Sequence, residues 1–86
     1  MAKRATPRPT EILKAVMDRK GIGISDMAKS LGVSRQQVYY LLDGRVRLTA
    51  DMAVRFERAF GLRAEHLMRL QLKLDLDQAR RAAEEA

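Results

Sequence analysis

Apolar residues recur every three or four positions along most of the chain, and polar or glycine-bearing breaks cut that recurrence into helix-sized segments. Leu13, Val16 and Met17 line one face of a first helix, predicted from Pro9 or Thr10 to Lys20, with Gly21 ending it. Met27, Ala28 and Leu31 share a face in a second segment over 24–31, and Val38, Leu41 and Leu42 do so in a third over 35–42. Ala53, Phe56 and Phe60 supply the stripe of a fourth helix, which Thr49 caps, Asp51 favours through the helix dipole and Gly61 stops. A fifth helix is predicted over 64–72, and Asp75 to Asp77 open a last one that runs into the Ala-rich, charged end. The pattern holds no internal repeat and no strand-like alternation of useful length, so the fold class is all-α, built of five to six short helices.

The join between the second and third segments carries the most information. Ala28 is small where two steeply crossing helices bring their backbones close, Gly32 permits a sharp turn, and Val33 fills the space beneath it. Ser34 is placed to cap the third helix, and Asp43 with Gly44 to stop it. Residues 24–42 therefore read as a helix-turn-helix, a device that docks on DNA, in preference to a plain helical hairpin in a small bundle.

Composition narrows the partner. The 86 residues make one domain, large enough for a core of short helices and too small for a roomy enzyme cleft. Seventeen Lys and Arg against 11 Asp and Glu give a net charge of +6, which favours a polyanion by steering and counterion release. Cysteine is absent, which removes disulfides and thiolate metal sites and fits a reducing cytoplasm. No stretch approaches the ~20 apolar residues that span a bilayer, so a cytoplasmic location without a membrane partner is expected. His66 is the single histidine, and the acidic residues are scattered over helix starts and surfaces. No nucleophile–base pair, metal-ligand spacing or Gly-rich phosphate loop can be assembled, so no enzyme activity, cofactor, metal or small-molecule substrate is expected.

Four segments carry a family resemblance: 9–13 (PTEIL), 27–38 (MAKSLGVSRQQV), 48–61 (LTADMAVRFERAFG) and 71–81 (QLKLDLDQARR). Together they resemble the HigA-type antitoxins, members of the Xre-type, lambda-repressor-like helix-turn-helix proteins. The last two segments separate that family from generic Xre repressors. The resemblance implies the antitoxin of a type II toxin-antitoxin module: a homodimeric repressor that binds double-stranded operator DNA in its own promoter and neutralises a HigB-type, ribosome-dependent toxin that cleaves messenger RNA. A freestanding Xre-type repressor without a toxin, and an interaction module that has lost DNA binding, are the alternatives of other classes. The chain departs from the family at Gly23 and Ile24, where a Ser or Thr cap followed by Gln usually grips a phosphate, and at Leu67, where Trp is frequent.

The helical wheel names the candidate DNA contacts. With Val38, Leu41 and Leu42 turned inward, Ser34, Arg35, Gln36, Gln37, Tyr39 and Tyr40 form the base-contacting set at the start and outer face of the third helix. Arg35 can fork onto guanine O6 and N7, Gln36 or Gln37 can pair with adenine, and Tyr39 can touch a thymine methyl or a sugar. Phosphate contacts are expected from the start of the second helix at Ile24 and Ser25, and from Arg45 and Arg47 in the loop after the third helix. Dimerisation is expected through Leu67, Leu70, Leu72, Leu74 and Leu76, which mark two stripes, one for the domain and one left to be covered. The chain thus divides into a flexible basic arm over 1–8, a DNA-binding domain over 9–62 and a C-terminal helical extension over 63–86.

Overall fold

Among the described residues, 8–85 of a computed structural model, the chain forms five α-helices and no strand. These are α1 (Pro9–Lys20), α2 (Ile24–Leu31), α3 (Arg35–Leu42), α4 (Ala50–Phe60) and α5 (Ala64–Glu85). The first four match the predicted spans because each boundary is written in local chemistry. Pro9 opens α1, and Gly21 closes it with a left-handed φ of 65° while its N–H bonds back to the carbonyl of Asp18. Thr49 caps α4 by accepting a hydrogen bond from the Met52 N–H at 3.3 Å. Of the basic arm expected over 1–8, only Arg8 falls within the described residues.

The C-terminal prediction needs correction, because the two helices expected there are one helix of 22 residues. Nothing between Ala64 and Glu85 is a glycine or proline, so no residue interrupts the hydrogen-bond ladder. Asp75 and Asp77 lie in its interior instead of starting a new element. Its own start is held from α4, where the Glu57 carboxylate accepts the Ala64 N–H at 3.0 Å.

The core consists of Leu13, Met27, Ala28, Leu31, Val38, Leu41, Leu48, Ala53, Phe56 and Leu67. It draws on all five helices, so the first turns of α5 belong to the same core as the helix-turn-helix. α2 packs on α3 and α4, α4 packs on α5, and α1 closes against α3 and α5. Leu48 is 1% exposed although it lies in the loop between α3 and α4. An isolated apolar residue in a polar loop has no periodic neighbours to announce its burial. The result is a scaffold in which one face of α3 is sunk in the core and the other is left open.

Candidate nucleic-acid interface

The turn into α3 is fixed from both sides. Gly32 adopts a φ of 70°, and the N–H of Val33 bonds to the carbonyl of Ala28 at 3.0 Å. Arg55 reaches across from α4, donating from Nη1 to the carbonyls of Leu31 at 2.9 Å and Gly32 at 3.2 Å. Its Nε is held by Asp51 at 2.9 Å. A cation thus covers the carbonyl end of α2, where the helix dipole is negative. Sequence reading missed Arg55, since the carbonyls it covers lie more than 20 residues away and no local pattern records them.

At the start of α3, Ser34 Oγ accepts the Gln37 N–H at 3.1 Å, and Gln37 Oε1 accepts the Ser34 N–H at 3.0 Å. In this reciprocal capping box the Gln37 carboxamide oxygen serves the helix start, a role in the scaffold that its place among the expected base contacts did not include. The signal was available in the sequence, since a serine followed three residues later by glutamine has the capping-box spacing.

Beyond the cap, Val38 and Leu41 are buried while Arg35 and Gln36 are exposed. Tyr39 is 54% exposed. Gln36 Nε2 donates to Tyr40 Oη at 2.7 Å. The Arg45 guanidinium lies over the Tyr40 ring, 5.6 Å from its centre. Tyr40, half-buried, therefore joins the helix face to the loop that follows it.

The other expected phosphate contacts divide. Arg45 is widely exposed, with Asp43 as a loose neighbour at 3.8 Å. Arg47 donates to the Asp75 carboxylate on α5. Asp75 also accepts from Gln71 Nε2 at 2.8 Å, and Gln71 Oε1 accepts the buried N–H of Leu48 at 2.8 Å. Gln71 is 3% exposed, the one polar residue in the core among the described residues. Arg47 first, and Gln71 after it, hold the Asp75 carboxyl below its ordinary value of 3.8. At the start of α2, Gly23 offers no side-chain cap, Ile24 packs partly against the core, and Asp26 sits in the first turn. Only backbone N–H groups and the exposed Ser25 remain there for an anion.

The leucines of α5 are not equivalent. Leu67 is 2% exposed within the chain's own core, which removes it from the expected dimer surface. Leu70 and Leu74 are half-buried. Leu72 and Leu76, one turn apart, are 57% and 41% exposed. His66 is exposed beside a shallow concavity bordered by Ile12, Val16 and Leu62. Among the described residues no group of three or more His, Cys, Asp or Glu could hold a metal ion. Nor is any helix among the described residues long and apolar enough to cross a membrane.

A family model described as helix-turn-helix matches residues 13–67, and the chain belongs to that family. Its Xre-like fold is shared with HigA-type antitoxins, which upholds the resemblance drawn from the four sequence segments. The Pseudomonas aeruginosa antitoxin HigA, solved with the higBA promoter, is 29% identical, with a TM-score of 0.85 over 94% of this chain and 89% of that one. An addiction module antidote protein of the HigA family from Coxiella burnetii is 26% identical, with a TM-score of 0.83 over 95% of this chain and 90% of that one. Virulence-associated protein A' of Dichelobacter nodosus is 34% identical over 73 residues, 84% of this chain and 64% of that protein. The chain thus spans just under two thirds of that relative's length.

Proposed function

We propose that the chain is the DNA-binding antitoxin of a type II toxin-antitoxin module, a homodimer that represses its own promoter and neutralises a HigB-type, ribosome-dependent toxin that cleaves messenger RNA. The observation that carries the DNA reading is the state of α3: its inner face is buried, its start is locked by a capping box, and Arg35, Gln36 and Tyr39 are left exposed at its outer, N-terminal face. A recognition helix enters the major groove by that end. Arg35 forks onto a guanine, Gln36 pairs with an adenine when it exchanges its bond to Tyr40 for the base, and Tyr39 packs on a thymine methyl or sugar. Arg45 meets the backbone beside the groove. The similarity to an antitoxin solved with its promoter supports the same placement.

A two-fold dimer would set two such helices about one turn of DNA apart, ~34 Å. Leu72 and Leu76 are the residues proposed to form the contact, because they are large, apolar and uncovered. A transcriptional reporter driven by the chain's own upstream region tests the repressor. Co-expression with the product of an adjacent toxin-like reading frame tests neutralisation. Expected are repression by the wild type and relief of toxin-induced growth arrest. A reporter indifferent to the protein would remove the repressor reading, and arrest that persists would remove the antitoxin.

A further inference from the structure

The loop between α3 and α4 carries two arginines in different circumstances. Arg45 is a loosely held cation with 68% of its side chain exposed. Arg47 is 58% exposed, yet it is paired with an aspartate on another helix. That aspartate is not a wandering surface carboxylate, because its second oxygen is held by Gln71 and only 31% of its side chain is exposed. Gln71 is itself anchored in the core by the N–H of Leu48, the residue next to Arg47. The segment bearing the cation and the helix bearing its acceptor are therefore tied together one residue apart, and the acceptor has a fixed position.

We propose that Arg47 is a conditional phosphate ligand: Asp75 holds its guanidinium in a pair that DNA must displace, so α5 sets the strength of the backbone grip. The proposal rests on the DNA-binding function argued above. A half-exposed ion pair contributes little in water, so a row of phosphates can compete for the guanidinium. Competition has a cost, because the Asp75 carboxylate is left beside the same phosphates with its charge uncovered. Gln71 and Asp75 lie beyond residues 13–67, the span of the helix-turn-helix model, so the extension contributes to the DNA face as well as to the core. Asp75 is a positioning residue that acts through Arg47.

The test is a double-mutant cycle with the full chain: wild type, Asp75→Asn, Arg47→Ala and the double variant. Each is titrated by fluorescence anisotropy on a random-sequence duplex and on the chain's own upstream region, at several salt concentrations. Asp75→Asn is expected to tighten binding by about two- to five-fold and to steepen the salt slope by about one unit. Arg47→Ala alone should weaken binding and flatten the salt slope, because it removes the ligand and leaves the Asp75 carboxylate uncovered, and the steepening by Asp75→Asn should vanish in the double variant. A salt slope steepened as much without Arg47 would mean simple removal of negative charge, and weaker binding by Asp75→Asn would mean that Asp75 only braces the loop. Either result overturns the proposal while leaving the DNA-binding function in place. Wild-type protein that binds neither duplex at low salt overturns both. Without DNA, the Asp75 carboxyl followed by NMR should titrate at higher pH in Arg47→Ala than in wild type, and an unchanged midpoint contradicts the pairing.

Discussion

Gly32 meets two separate demands at one residue. Its φ of 70° is a left-handed conformation, and a Cβ built there would stand 3.0 Å from Arg55 Nη1. Replacing it with alanine adds the strain of that conformation and pushes away the guanidinium that covers the end of α2. Gly32→Ala is expected to cost ~1–2 kcal/mol, read as a lower urea midpoint at unchanged slope. The glycine was legible in the sequence because a turn between two amphipathic segments needs one; its contact with Arg55 was not, because that depends on how α4 packs. The same division runs through the DNA face. Arg35 and Tyr39 follow from the helical wheel, whereas the Gln36–Tyr40 bond and the placement of Arg45 over the Tyr40 ring depend on rotamers that no pattern specifies.

At the scale of elements, α1 to α4 could be read to within a residue because caps, glycines and apolar spacing agree at each end. The C-terminal helix could not, since aspartates that favour a helix start are equally at home in an interior when tertiary partners engage them. Asp75 has such partners in Arg47 and Gln71. Gln71 is the hinge of that arrangement: it satisfies the buried N–H of Leu48 and orients Asp75, so α5 and the α3–α4 loop share one polar link inside the core. Gln71→Ala would orphan that N–H. The expected loss is ~1–3 kcal/mol, measured by urea denaturation, and slower hydrogen exchange is expected at the Leu48 amide in wild type than in the variant. Equal exchange and equal stability would show that the link is idle.

At the scale of the molecule, the first turns of α5 complete the core while the later ones project from it, residues 77–85 being exposed throughout. Leu72 and Leu76 lie just before this projecting part, and two large apolar side chains in water on one face call for a cover. The two stripes are visible in the leucine spacing, but spacing alone does not say which of them faces inward; Leu67 lies in the core and Leu72 and Leu76 lie outside it. In a dimer held by this face, Leu72→Lys introduces like charges at the contact. Sedimentation at micromolar concentration should then give a monomer for the variant and a dimer for the wild type, and a wild-type monomer would end the dimer reading.

The central claim is that the exposed end of α3 reads a particular DNA sequence. The most direct measurement is fluorescence anisotropy of the full chain on its own upstream region and on a scrambled duplex of equal length, with Arg35→Ala beside the wild type. The wild type should prefer its own region by at least ~10³-fold. Arg35→Ala should lose ~1–3 kcal/mol on that duplex and little on the scrambled one. Equal, steeply salt-dependent binding of both duplexes by both proteins would contradict the claim, leaving charge without readout.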